Sequence, residues 1–393
     1  MRPLTSVGPA SVQLGPVRDF VALGHLWRDL ERRAAGSFFQ SWTWVGCLAS
    51  ERYPDPVLVQ AQENGRVVAL ALFNRRRNRM GLPTLHLHES GQTALDSPYI
   101  EQNGVLTEAG REAELTALCL SAVVPRYRVV LSGVESTALA LAQRMAGCVA
   151  LRRHQPAPFA DLAALRHRGA DVLEGRSANT RQQVRRSDRY YCQSGAIRIE
   201  QARTPDAALM ALDRLAVLHQ AAWRRRGQPG SFAEPFFRRF HAAMIQEGLP
   251  RGEIALLDIN AGNTRLGVLY NFVWAGRMLA YQSGFAYQPG SPQAKPGLSS
   301  HHAAVRHALA LGLDAYDFLA GDDRYKRSLA DGQRTISWLA CGPKWRPDLA
   351  LERWRSGPAL SGLSGSSVPS PDSSSPGRRD DAATPPHPRD EAD

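Results

Sequence analysis

The residues of this chain that could do chemistry crowd into one stretch, Lys295–Lys326, which reads KPGLSSHHAAVRHALALGLDAYDFLAGDDRYK. Lys295, Gly297, Leu298 and Ser299 stand at a predicted helix start, behind a loop broken by Pro289, Pro292 and Pro296. A helix N-terminus that follows a strand is a ready anion site, because its free N–H groups and its dipole converge on one place. Gly297 would let the backbone approach a diphosphate, and the Lys295 ammonium would add charge. The plainer alternative is a Pro/Gly helix start with a Ser cap. Asp317 follows inside the apolar strand AYDFLAG. Burial there would raise its pKa toward that of a base able to deprotonate an amine near neutral pH; otherwise it orders the next turn. Asp322 and Asp323 are loop carboxylates, Tyr325 could protonate a leaving thiolate or pack under the loop, and Lys326 could pair with a phosphate or with Asp323. An anion cradle and proton-transfer groups within one unit predict a group-transfer enzyme.

Lysine is scarce. Of 48 basic residues only Lys295, Lys326 and Lys344 are lysines, and two of them lie in this stretch. An ammonium offers a compact charge with a movable pKa that a guanidinium does not. The arginines are concentrated elsewhere. A helix over 171–191 stacks Arg181, Arg185 and Arg189 at i, i+4 spacing, which fits either a polyanion or a solvated face. The 75–79 cluster reads as a loop between strands. His86-Leu-His88-Glu89 places two imidazoles on one strand face, but no third ligand is near, so no metal is expected. No GxxxxGK[ST], GxGxxG or GxSxG motif occurs.

The elements that must position these groups repeat. In the second half, strands 253–259, 265–274 and 277–285 precede a helix from Gly297 to Leu311, a strand over 315–319, the acidic loop and a last strand over 334–341. In the first half, strands 57–61, 66–74 and 82–88 precede helix 111–123, strand 128–134 and helix 137–145. The hairpins LVQAQENGRVVALALFN and LLDINAGNTRLGVLYNF align with one insertion, as an internal duplication would. Helix 205–226, with an apolar stripe of Leu209, Leu212, Leu215, Leu218 and Trp223, joins the halves.

At 393 residues and 43% hydrophobic content the chain suits two globular domains with no membrane span. The N-terminus has no secretory core, and five scattered cysteines suggest reduced thiols, so a cytoplasmic protein is expected. Residues 1–19 read as a flexible N-terminus, 20–165 as one module, 166–350 as a second, and 357–393, rich in Ser, Pro and Gly, as a disordered tail.

The element order resembles GNAT acetyltransferases, and the second half is similar to their cellulose-biosynthesis-associated branch. The resemblance rests on Ser177-Ala-Asn179-Thr-Arg181, Leu218-His219…Trp223…Arg226-Gly227…Phe232, Pro296-Gly297, and chiefly Tyr316-Asp317-Phe318-Leu319-Ala-Gly321-Asp322-Asp323-Arg-Tyr325-Lys326, with Phe38–Trp42 near the N-terminus. It implies an α/β fold of tandem GNAT-like modules, with mixed, mostly antiparallel sheets flanked by helices, related to Fem-type peptidyl transferases. It further implies acyl transfer, with acetyl-CoA or another acyl-CoA as cosubstrate, to an amine of a sugar, peptide or envelope precursor. Lys295, Gly297, Leu298 and Ser299 would hold the donor diphosphate; Asp317 or Asp323 would be base, Tyr325 acid and Lys326 charge clamp. His219, Trp223 and Tyr281 would meet the acceptor. One departure stands out: Gln293-Ala-Lys295-Pro-Gly297-Leu replaces the usual phosphate loop, Gln/Arg-x-x-Gly-x-Gly/Ala. Fem-type relatives with degenerate loops take aminoacyl-tRNA as donor, so tRNA is an alternative partner. A non-catalytic scaffold in polysaccharide synthesis is the third reading.

Overall fold

The computed structural model describes residues 10–356 except 79, 93–95, 97–98 and 289–290, so the 357–393 tail lies outside the described residues. The first half supplies β1 (Ser11–Pro16), β2 (Pro56–Glu63), β3 (Arg66–Arg77), β4 (Pro83–Leu87), β5 (Leu106–Thr107), β6 (Arg128–Glu135) and β7 (Cys148–Asp161). Its helices are α1 (Phe20–Glu31), α2 (Trp42–Arg52), α3 (Glu112–Val123), α4 (Ser136–Met145) and α5 (Leu162–Arg168). The second half supplies β8 (Ile197–Gln201), β9 (Ile254–Ala261), β10 (Thr264–Trp274), β11 (Arg277–Phe285), β12 (Ala315–Asp317) and β13 (Gly332–Gly342). Its helices are α6 (Ala178–Cys192), α7 (Pro205–Arg225), α8 (Pro235–Gly248), α9 (Pro296–Ala310), α10 (Arg324–Leu329) and α11 (Pro347–Ser356).

All the described strands join one sheet, ordered β1-β2-β3-β4-β6-β13-β7-β12-β11-β10-β9-β8, with β5 beside β3. Exchanging the halves maps this order onto itself, β4 onto β11 and β6 onto β12. The parallel pairs among the described strands obey the same exchange: β4 with β6 and β11 with β12. The fold is therefore a tandem α/β arrangement with a mixed, mostly antiparallel sheet. A boundary at 165/166 divides the chain but not the sheet, because β7 lies between β13 and β12, and β13 between β6 and β7. Each half lends the other a central strand.

Local sequence accounts for the elements. Ser177 caps α6 by accepting the Thr180 N–H at 3.1 Å, and Thr204 caps α7 ahead of Pro205. The hairpin turns use Asn64-Gly65 and Ala275-Gly276, all four at positive φ. One aromatic core binds the halves together: Trp27, Phe38, Phe39 and Trp44 pack with Phe240, Tyr270 and Phe272. Phe38 stacks on Phe272 with centroids 4.0 Å apart.

Three expectations need correction. Residues 11–16, read as flexible, form an edge strand paired with β2; most of its side chains face solvent, which erased the apolar signal. Arg75–Arg77, read as loop, continue β3, where Arg75 pairs with Asp55 at 2.7 Å. Strand β7 went unseen because Pro156 and Pro158 argue against a central strand. The structure accommodates them where β12 has ended: their carbonyls accept the N–H groups of Gly321 and Phe318, each at 3.0 Å.

A candidate acyl-transfer site where two cavities meet

Strand β12 is short. It pairs with β11 only over Arg277–Leu279, leaving one edge of Ala280–Phe285 without a strand partner. Polar main-chain groups on such an edge need another partner, and two cavities lie along it. Between Tyr270 and Asn271 the register with β10 shifts, so that Tyr281 is the extra residue of a bulge. A bulge re-aims side chains, and Tyr281 lines the second cavity with its ring in the aromatic core.

The first cavity, about 310 Å³, lies against the start of α9 and is lined by Lys295, Gly297, Leu298 and, across it, Gln183 of α6. The Lys295 carbonyl accepts the Ser299 N–H at 3.1 Å. Pro296 has no N–H, so the donors left without an intrahelical acceptor are those of Gly297 and Leu298, both cavity residues. The Lys295 ammonium lies 3.4 Å from the Gln183 side-chain oxygen. A Cβ at Gly297 would sit 3.1 Å from the Phe285 ring, so glycine also permits the packing of α9 on β11. Ser299 is a correction: it is fully buried, bonded to Ser187 at 2.8 Å, and faces away from this cavity.

The equivalent helix of the first half, α3, opens with Glu112 and Glu114. Two carboxylates at a helix start oppose a second anion there. The start of α3 is therefore less suited to an anion than the start of α9.

The second cavity, about 60 Å³, is lined by His219 and Trp223 of α7, Tyr281, Asp323 and Lys326. The Trp223 indole N–H donates to His219 Nε2 at 2.9 Å, which leaves Nδ1–H to face Gln220 Oε1 at 3.3 Å. Burial lowers the His219 pKa to about 4, so the ring is neutral. Asp323 is buried, with an oxygen 3.6 Å from the Lys326 ammonium. The cavities share a wall made by Phe285, Tyr287, His301 and Tyr325.

Asp317 and Lys326 depart from their expected roles. Asp317 lines neither cavity. It is fully buried and accepts hydrogen bonds from Arg277 and Gln102, at 2.7 and 2.8 Å, and from Arg334. Burial raises its pKa to about 6. Its other oxygen accepts the Leu319 N–H at 2.8 Å, holding Leu319 at φ +58°. The plainer alternative, a carboxylate ordering the next turn, describes it. Lys326 lines the second cavity and not the first, and donates to the Ala320 carbonyl at 2.7 Å. It is no clamp for a phosphate at α9. Together Asp317, Lys326 and Glu101, which accepts the Ala320 N–H, fix the loop that carries Asp323 and Tyr325.

His301 was missed. The sequence reading gave it no role, and no group of three potential metal ligands exists among the described residues. Its position four residues after Gly297, on one helix face, was the available signal. Burial pushes the Cys47, Cys119 and Cys341 thiols up to about 12, far from a reactive thiolate at neutral pH.

The arrangement fits known folds. Residues 178–327, within the second half of the chain, match the acetyltransferase (GNAT) domain family. The chain shares its fold with FemX, at a TM-score of 0.53 and 9% identity over 84% of this chain and 96% of that one. It is also similar to the C-terminal domain of a proposed lysylphosphatidylglycerol synthetase from Agrobacterium fabrum, at a TM-score of 0.51 and 11% identity over 85% and 95% of the chains. No curated protein matches the sequence. Among the described residues no helix is long and apolar enough to cross a membrane.

Proposed function

We propose that the protein is a cytoplasmic N-acyltransferase that moves an acyl group, acetyl in the simplest case, from acyl-CoA to a primary amine of a sugar, peptide or envelope precursor. One observation carries this reading: an amide-lined cavity and a polar-aromatic cavity meet at the wall of Phe285, Tyr287, His301 and Tyr325. The Gly297 and Leu298 N–H groups and the Lys295 ammonium receive the donor diphosphate. His219 and Trp223 shape the acceptor side. Asp323, held by Lys326, takes a proton from the amine as nitrogen attacks the thioester carbon. The C–N bond forms, the C–S bond breaks, and Tyr325 supplies a proton to the departing thiolate. The gain comes from holding the two reactants in line, with water kept from the shared wall.

Acetyl-CoA should raise the melting temperature, and thiol release should depend on an added amine such as glucosamine, lysine or a glycyl peptide. No shift with any CoA thioester would refute the acyl-CoA reading. A second donor has one observation in its favour. Exposed Arg185, Arg186 and Arg189 lie on α6, the helix whose Asn179, Thr180 and Gln183 line the donor cavity. If the donor is aminoacyl-tRNA, as in the Fem-type enzymes this chain resembles, binding should fall steeply with salt. Acyl-CoA affinity should fall only mildly.

A further inference from the structure

We infer that His301 is the group that polarises the donor's thioester carbonyl, donating a hydrogen bond from Nε2–H to the oxygen that becomes an oxyanion when the amine adds. The inference rests on the acyl-transfer reading above and names a role for a residue of the same site. His301 is 2% exposed and lines both cavities, one helical turn beyond the Gly297 amide. Its Nδ1 lies 3.1 Å from the Tyr316 hydroxyl. Tyr316 is fully buried. Among the described residues this is the hydrogen bond recorded for its hydroxyl, so the phenol proton points at Nδ1. The imidazole proton then belongs on Nε2.

That nitrogen is buried and has no hydrogen-bond partner among the described residues. Buried donors are nearly always satisfied, so an orphan on a ring that lines both cavities marks a place for a ligand acceptor. The ring is held in plane by Tyr325, stacked at 4.7 Å, and edged by Phe285 and Phe318, each at 5.8 Å. Burial, with the Lys326 ammonium nearby, lowers its pKa to about 3, so it donates as neutral imidazole and does not compete with Asp323 for the amine proton. No atom changes hands at His301. The hydrogen bond strengthens as charge moves from the carbonyl carbon–oxygen bond onto oxygen, and relaxes when the thiolate leaves.

The test uses [1-13C]acetyl-CoA bound to the full chain and read by isotope-edited infrared spectroscopy, alongside amine-dependent thiol release. The bound carbonyl stretch should lie below that of free acetyl-CoA in the wild type and return toward it in His301→Phe. In that variant kcat should fall about 10²- to 10³-fold, with acetyl-CoA affinity changed less than threefold. His301→Gln, which keeps an N–H donor, should recover at least tenfold of the loss. A wild-type carbonyl stretch equal to that of free donor would overturn the assignment without recourse to any variant. So would a folded His301→Phe enzyme within twofold of wild-type kcat. If the wild type neither binds acetyl-CoA nor releases thiol, the acyl-CoA reading falls and this role falls with it. If it does both and the histidine variants behave as the wild type does, this role alone is lost.

Discussion

Tyr325 lies nearly parallel to His301, with ring centroids 4.7 Å apart and planes 21° from parallel, and both rings line both cavities. The stack joins the loop after β12 to the helix whose N-terminus faces the donor cavity. Phenylalanine at 325 would keep the stack and lose only the hydroxyl. If that hydroxyl protonates the thiolate, Tyr325→Phe should lower kcat about 100-fold with little change in melting temperature. Unchanged thiol release would remove Tyr325 from the proton path.

Gly297 tests the amide cradle. Gly297→Asp brings a Cβ 3.1 Å from the Phe285 ring and a carboxylate to the orphan amides. The thermal shift with acetyl-CoA should vanish, whereas Gly297→Ala should only weaken it. An intact shift in the aspartate variant refutes the cradle.

On the acceptor side, Asp323→Asn should lower kcat by 10²-fold or more if the carboxylate is the base, while leaving the acetyl-CoA thermal shift in place. Equal loss of donor binding would show that the substitution had collapsed the loop instead.

Asp317 should matter to stability first. Asp317→Ala removes the shared partner of Arg277 and Arg334 and frees the Leu319 turn. Losing one side of a buried ion pair costs about 3 kcal/mol or more, readable by urea titration. A variant of wild-type stability without activity would restore Asp317 as a catalytic candidate.

The buried histidines set an acid limit. His241 is fully buried, and burial lowers its pKa to about 3. The unfolded chain binds a proton near pH 6.5 that the native state refuses until about pH 3. Its contribution is therefore intact above pH 6.5 and lost as pH falls below it. At pH 5.5 the loss is about 1.4 kcal/mol. His86, His88 and His301 behave alike. Burial raises Glu89 and Asp96 instead, so their contribution is present at low pH and lost as pH rises. Relative to wild type, His241→Phe should gain about 1.4 kcal/mol between pH 7.5 and 5.5. Parallel profiles would show that His241 protonates freely.

Strand and helix order was legible because amphipathic period, turn residues and caps are local properties. The two hairpins, the glycine-led α9 and the acidic loop could be read from their own residues. Elements without a local apolar signature could not: β1 is solvent-faced, and β7 carries two prolines. The site divided in the same way. Gly297, Leu298 and Lys295 belong to one helix start, and their spacing alone put them together. Which carboxylate faces a cavity depended on chain segments far apart in sequence. Gln102 and Arg334 claim Asp317, whereas His219 and Trp223 of α7 share a cavity with Asp323. His301 gains its meaning only from Tyr316 on one side and the meeting of two cavities on the other. Local sequence determined which groups exist and on which elements; burial and long-range pairing, which act between distant segments, decided which of them remain open to a substrate.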